Sequence, residues 1–347
     1  MLKRRCSGSC RGRVVLTRAG CLSVVLVCTL ALAGCGQQST LDPHSEPARQ
    51  IETLWWVMLV ASVVVFGGAC FLLVLAWRRP ESTGLPLIGD SPRAIEATVV
   101  ALGIVIPVVA LIALFVYANV SVAQETEPPP PEETAMTIEV TGSQWWWRVR
   151  YPGTPAITAN EIHIPAKTRV NIVTQAEDVI HSFWIPQLNR KVDSMPGYPN
   201  RVEIYADEPG RYRGQCAEFC GVQHAQMGVA VYADTPERFR AWLDNQARPR
   251  PTPPTPLARK GEQVFLSKQC ASCHTIRGTP ARGQVGPDLT HLRSRETLGA
   301  LTIPNRKGYL AGWVLDPQTM KEGTKMPALD LTGPELQALV EYLERLR

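Results

Sequence analysis

Within the twelve residues CAEFCGVQHAQM, Cys216 to Met227, the chain places two cysteines, a histidine and a methionine. Three chemistries use such a set: a disulfide, a zinc site and a copper site. A disulfide between Cys216 and Cys220 leaves His224 and Met227 without a role. Zinc accepts thiolates and imidazole, but a methionine thioether is a soft donor that selects copper. A mononuclear blue-copper site uses two histidines, one cysteine and a weak axial methionine. This loop supplies one histidine and a second thiolate, so a further histidine has to come from elsewhere in the chain.

A second cluster, Cys270-Ala-Ser-Cys273-His274, has the spacing of c-type haem attachment. Two thiols add to the haem vinyl groups, and the next residue turns its imidazole onto the iron. A weak neutral donor on the opposite face raises the potential. Met326, in GTKMPAL, resembles the Met-Pro ligand loop of class I c-type cytochromes, and Gly286–Leu289 (GPDL) resembles their haem-packing turn. Met320 is the competing sixth ligand. The bland alternative is a redox or zinc CxxC followed by a chance histidine. Of the six histidines, His274 is spent on haem, His44 lies near the first long apolar run and His291 lies in the last region. His163 and His181 remain as partners for the first cluster.

These residues need elements to hold them. At 347 residues the chain has room for two or more folding units. Its formal charge of +5, from 36 basic and 31 acidic residues, is too mild to point to a nucleic-acid partner. Of ten cysteines, Cys6, Cys10, Cys21, Cys28, Cys35 and Cys70 lie before or inside apolar segments. The remaining two pairs therefore read as cofactor chemistry and not as a disulfide framework.

The basic start, the apolar run Ala19 to Ala33 and the small residues after it describe an export signal over residues 1–34. Leu32-Ala33-Gly34-Cys35 resembles the bacterial lipobox, which implies cleavage before Cys35 and lipid on its thiol. An uncleaved signal anchor is the alternative. Residues 35–122 read as a membrane hairpin with helices over about 54–77 and 97–118, each able to cross a core of about 30 Å. Trp55, Trp56 and Trp77 suit the interface, and Arg78, Arg79 and Arg93 place the short connection in the cytoplasm. Everything after the second helix then lies on the outer, periplasmic side of the cell's inner membrane.

Gln124–Glu133 (QETEPPPPEE) reads as a spacer that forms neither helix nor central strand. Residues 134–247 alternate as short strands between Pro and Gly, the pattern of a sandwich or barrel, closed by a helix after Thr235-Pro236. Residues 248–256 (RPRPTPPTP) read as a stiff leash that spans about 28 Å in polyproline II geometry. Residues 257–347 are helical and end in a helix opened by the Thr332–Glu335 capping box.

The motifs DVIHSFWIP, KVDSMPGYPN and CAEFCGVQHAQM, taken together, resemble subunit II of cytochrome c oxidase, in the caa-type form with a fused cytochrome c. The resemblance covers nearly everything after the signal. It implies a multidomain fold: a two-helix transmembrane hairpin, an all-β cupredoxin barrel and an all-α class I cytochrome c domain. It also implies dinuclear copper A bridged by the thiolates of Cys216 and Cys220. One copper takes His181 and Met227, and the other takes His224 and the backbone carbonyl of Glu218. The Glu218 side chain would also reach a magnesium ion at the subunit I interface. Trp145 corresponds to the residue through which electrons arrive, and strand alternation would put Trp145 and Trp147 on one face with Trp146 on the other. Ser143 stands where a histidine is common. Glu96 is placed to feed a proton channel or simply to favour a helix start. His163 reads as an ordinary strand residue.

The implied function is to pass electrons from haem c (Cys270, Cys273, His274, Met326) through copper A to the haem of subunit I, where oxygen is reduced to water and protons are pumped. The implied partners are subunit I, the other oxidase subunits and a soluble or membrane cytochrome c as donor. The alternatives are a nitric oxide reductase subunit carrying the same copper site, and a copper-delivery module without redox duty.

Overall fold

The computed structural model describes residues 36, 38–78 and 91–347, so the export signal 1–34, Cys35 and Arg79 lie outside the described residues. Helix α1 is Glu46–Arg78, 33 residues, and α2 is Pro92–Val122, 31 residues. At about 1.5 Å per residue both overrun a hydrocarbon core of about 30 Å. They are longer than the apolar runs at 54–77 and 97–118 because polar residues such as Glu46 and Arg49 continue the helix beyond the core. Apolar side chains along both helices face outward, among them Phe66, Leu73 and Leu111, as lipid-solvated helices require. Pro107 interrupts α2, since it donates no hydrogen bond and its ring crowds the preceding turn. The backbone widens there into a π turn at Ala101–Val105. Glu96 is exposed in the second turn of α2.

The spacer differs from its sequence reading. Helical backbone runs on through Ala123–Thr126, and Pro131–Glu133 forms a 3-10 turn. The helix stops at Glu127, which is extended (φ −66°, ψ 136°) because the next residue is proline.

Ten strands then build two facing five-stranded sheets. One has the order β3-β2-β1-β5-β8, from β1 (Met136–Ser143), β2 (Trp146–Arg150), β3 (Ile157–Ala159), β5 (Val170–Ala176) and β8 (Asn200–Ile204). The other has the order β4-β10-β9-β6-β7, from β4 (Glu161–Pro165), β6 (His181–Trp184), β7 (Val192–Ser194), β9 (Gly210–Cys216) and β10 (Gly228–Asp234). Alternate residues point inward, so Ile138, Val140, Trp147, Val149, Ile162 and Ile172 are fully buried. Each such side chain contributes roughly 1.5–3 kcal/mol. This is a cupredoxin-like sandwich. Helix α3 (Pro236–Ala247) closes it, capped by Thr235, whose hydroxyl accepts the Arg238 N–H. The segment before α1 ties the sandwich to the hairpin: His44 N–H donates to Gln187 O at 2.9 Å, Asp207 N–H donates to His44 O at 2.9 Å, and Arg49 pairs with Asp207 at 2.7 Å.

The last region is helical: α4 (Pro256–Ser267), the single turn α5 (Cys270–Cys273), α6 (Lys307–Leu315), the short α7 (Pro317–Met320) and α8 (Gly333–Leu343). Helices α4 and α8 cross closely because Gly261 abuts the Ala338 backbone, where a Cβ would collide. The Thr332/Glu335 capping box is present. One departure from an all-α domain is the small hairpin of β11 (Thr297–Leu298) and β12 (Ile303–Pro304).

Residues 38–347 form one compact unit. The proline-rich segment is not a free leash, because its first residues are bound to the helical domain. Arg248 O accepts from His291 Nε2 at 2.9 Å, Arg250 N–H donates to Arg277 O at 3.3 Å, and Arg250 pairs with Glu262. The two domains meet in a polar seam. Glu161, only 2% exposed on β4, accepts N–H bonds from Glu296 at 2.9 Å and Thr297 at 3.2 Å. Arg295 Nε donates to Thr158 Oγ1 at 3.3 Å, and Tyr232 OH donates to Glu296 Oε2 at 2.8 Å.

Burial pushes the Glu161 carboxyl up to about 7 from an ordinary 4.5, against the opposing pull of Arg295 and the N–H donors. The folded seam thus holds a proton that the unfolded chain releases between those values, and it loses stability as pH rises through that window. Glu161→Gln should remove the slope. Calorimetry of the full chain should show wild-type Tm falling relative to the variant from pH 4.5 to 7; a constant difference would count against this account.

Candidate functional site

The first cluster is assembled by adjacent strand ends. Cys216 is the last residue of β9, and Phe183 of β6 pairs directly with it, which brings His181 alongside. Cys216 N–H donates to Met227 O at 2.9 Å, closing the loop so that Met227 returns beneath the cysteine. Gly221 makes the bend at φ +115°, a conformation that favours glycine.

The two sulfurs lie 3.8 Å apart. Cys216 Sγ is 3.9 Å from His181 Nδ1 and 3.2 Å from Glu218 O. Cys220 Sγ is 3.7 Å from His224 Nδ1 and 3.8 Å from Met227 Sδ. His181, Cys216, Glu218 (by its carbonyl), Cys220, His224 and Met227 are thus all brought together. His163 is not among them; it stacks between Tyr232 (4.9 Å) and Trp242 (4.1 Å).

The surroundings fix these donors. His181 is fully buried, and its Nε2 pairs with Asp178 Oδ1 at 2.8 Å, leaving Nδ1 aimed at the sulfurs. Gly142 lies behind the ring, where a Cβ would sit 2.9 Å from its Cδ2. Burial alone would lower the His181 value, but Cys216 and Asp178 outweigh it and raise the net value. The hydrogen bond shared with Cys220 draws the Cys216 thiol below its ordinary range despite burial, helped by His181. The pair thus sheds its first proton readily, as two sulfurs that share a cation must. Three sulfurs with two imidazoles fit a soft metal.

The second cluster opens on a cavity of about 610 Å³, lined by Cys270, Cys273, His274, Leu289, Trp313 and Met326 among others. His274 Nδ1 donates to Pro287 O at 2.8 Å, which turns Nε2 inward. Burial holds this imidazole below its ordinary value, hence neutral and able to ligate. Met326 lines the cavity, whereas Met320 packs into the surrounding core and against Gly312. Two thiols at the rim, an imidazole and a thioether, with otherwise mainly apolar walls, fit a covalently held haem.

The tryptophans depart from simple alternation. Gln144 and Trp145 form the hairpin turn, and β2 starts only at Trp146. Trp145 and Trp146 therefore both line the cavity, while Trp147 is wholly buried in the sandwich. Trp145 Nε1 donates to Cys220 O at 3.0 Å. Ser143 Oγ donates to Glu177 at 2.9 Å. Sequence reading missed Asp178 and Gly142, which hold His181, whereas Gly286, which abuts His274, lies in the GPDL turn it singled out. Asp178 carried one signal: it stands three residues before His181 in DVIH.

Soft donors held in place by buried hydrogen bonds suit electron exchange better than bond making, and the fold and site define a membrane-anchored electron-transfer subunit. Comparison with known proteins makes this specific. Residues 156–234 match the family described as cytochrome c oxidase subunit II, periplasmic domain, and residues 258–347 match cytochrome c. Cytochrome c oxidase subunit 2 of Alkalihalophilus pseudofirmus is 33% identical over 332 residues, covering 92% of this chain and 94% of the relative. That of Bacillus subtilis is 30% identical over 343 residues, covering 92% and 95%. The chain belongs to the cytochrome c oxidase subunit 2 family and carries the cytochrome c domain in addition. The first matched domain implies copper A and the second implies haem c.

A Cβ on Gly286 would lie 2.5 Å from His274 Cε1. Gly286→Ala is therefore expected to displace the imidazole and destabilise the helical domain by about 1–3 kcal/mol. A denaturation midpoint followed at the haem band would check it, and an unshifted midpoint would refute the contact.

Proposed function

We infer that the chain is the subunit at which electrons enter a membrane-bound haem–copper oxidase. The observation that carries this reading is the placement of one indole. Trp145 lines the cavity beside Cys270, Cys273 and His274, and its Nε1 bonds the carbonyl of Cys220. Both donor clusters thus meet at a single side chain.

In this reading Cys216 and Cys220, with His181, Met227, His224 and the Glu218 carbonyl, would hold the copper pair. Cys270, Cys273, His274 and Met326 would hold haem c. When bound, the two groups supply single-electron exchange between an external donor and the haem of subunit I. The chain's own residues keep that exchange fast by refusing to move. Asp178 fixes the His181 ring, and Pro287 O fixes His274. Sandwich strands on both sides restrain the cysteine loop, so little rearranges when charge arrives. The Glu218 carboxylate is exposed and joins no metal-type donor group among the described residues, so magnesium there draws no support.

Arg78 and Arg93 flank the connection between α1 and α2, which favours a cytoplasmic connection with both globular domains on the outer, periplasmic face. A soluble or membrane cytochrome c is the donor class we assign. Val285, 71% exposed and part of the cavity lining, marks the rim such a donor would approach.

The purified complex should contain two coppers and one covalent haem per chain, with a mixed-valence copper signal and oxygen uptake. Zinc, or one copper per chain, would overturn the copper assignment. Asp178→Asn should weaken copper retention by about 10–100-fold in chelator competition. For the haem iron, Met326→Leu should abolish the thioether-to-iron charge-transfer band while Met320→Leu leaves it intact. The reverse result would transfer the ligand role to Met320.

A further inference from the structure

Lys321 follows α7 in the helical domain, yet it is only 3% exposed because its side chain enters the seam between the domains. Its Nζ donates to Gln226 O at 2.9 Å, to Gly299 O at 2.9 Å and to Trp145 O at 3.4 Å. An ammonium has three N–H donors, and all three are used. The acceptors come from three separate segments: the residue before Met227, the hairpin turn that presents Trp145, and the β11–β12 turn of the helical domain. Among the described residues no carboxylate pairs with it. Burial pulls the amine down to about 8. A charge buried between domains is unfavourable unless well-placed acceptors surround it, so the three carbonyls and the ammonium require one another's positions. Two further bonds flank it. Gly228 N–H donates to Ala300 O at 3.2 Å, and Gln223 Nε2 donates to Glu322 O.

We propose that Lys321 is the positioning residue for electron exchange between the helical domain and the sandwich, holding the cavity against Trp145 and the Cys216–Met227 loop in the arrangement that transfers charge. The proposal rests on reading the cavity as the haem c site and the loop as the copper site. Lys321 lines the cavity wall but is a ligand to neither group. It acts through the main chain of Trp145 and Gln226, and the transfer rate follows from the spacing it sets, since electron exchange falls steeply with separation. Ion pairs at the edge of the seam, such as the half-exposed Lys325–Asp178 at 3.6 Å, are too weak to set that spacing alone.

The test is Lys321→Met in the intact membrane complex, with four readouts. The haem c absorption spectrum should match wild type, as should haem c reduction by an external cytochrome c. Reduction of the copper pair by haem c, followed at the copper near-infrared band after rapid mixing, should slow by at least about tenfold and become sensitive to added viscogen. Hydrogen–deuterium exchange should rise in peptides covering 221–228 and 296–301. An unchanged copper-reduction rate, or unchanged exchange in both peptides, overturns the proposal. A variant that loses haem or fails to assemble directs the test to Lys321→Gln, which keeps two donors. That variant should show a smaller slowing with the same split between readouts; slowing of haem c reduction in equal measure overturns the positioning role. In wild type the same step should be independent of viscogen, and a viscosity-dependent rate also overturns it. Absence of covalent haem or of a copper pair from wild type would instead overturn the reading of the sites beneath it.

Discussion

The two-residue turn between β1 and β2 has to satisfy both domains at once. Gln144 N–H donates to Asp178 at 2.8 Å, and Gln144 Nε2 and Trp145 Nε1 donate to Cys220 O at 2.7 and 3.0 Å. Asp178 in turn holds His181, and Ser143 holds Glu177. One short hairpin therefore fixes the histidine of the sulfur cluster, the carbonyl behind Cys220 and a wall of the cavity. An electron carrier needs the same geometry in both charge states, and that is provided by bonds that are saturated before any electron arrives. Gly142 and Gly221, the glycines on either side of this turn, are where a side chain would break the arrangement. A Cβ on Gly221 would meet the Trp145 ring at 3.0 Å.

Buried ionisable groups are the second constraint, and the seam contains three examples. Glu161, Arg295 and Lys321 are each under a tenth exposed. Glu161 and Lys321 face backbone groups of the opposite domain, N–H for the carboxyl and C=O for the ammonium, and Arg295 reaches Thr158 Oγ1 across the seam. Such groups are poor sources of net stability, because desolvation offsets most of what their bonds return. Their effect is on register: a slid or rotated interface leaves charges without partners and is strongly disfavoured. A greasy interface of the same area would hold the domains together without choosing among nearby orientations, and transfer between two fixed groups depends on the orientation.

The sequence made the donor sets plain because they are local. Cys216 to Met227 and Cys270 to His274 each carry most of a site within one turn or loop, and soft-donor chemistry narrows the metal. The hairpin, the sandwich and the helical domain follow from hydrophobic period and proline punctuation. What the sequence hid is non-local. Gly142, Glu161 and Lys321 act through contacts set by tertiary packing, and a lysine or a glutamate on a line of sequence looks the same whether solvated or buried. The tryptophan run was misread for a related reason. Alternation applies only within a strand, and the turn at Gln144–Trp145 shifts the phase by placing two rings at the cavity. The spacer was misread because its first residues precede the prolines and are free to continue α2.

The proline-rich segment bears on why one chain carries both domains. A flexible tether would raise the donor's effective concentration to the millimolar range and leave each transfer to wait on an encounter. Here the start of the segment is bound to the helical domain through Arg248 and through the Arg250–Glu262 pair, and the domains share a seam of buried ionisable groups. The segment therefore limits separation, and the seam sets geometry. On the proposed reading, fusion would remove the encounter step from internal transfer and leave it to the external donor, for which Val285 marks the cavity rim. Such a donor would need only to reach that rim, because Trp145 already forms part of the cavity wall and bonds the carbonyl of Cys220.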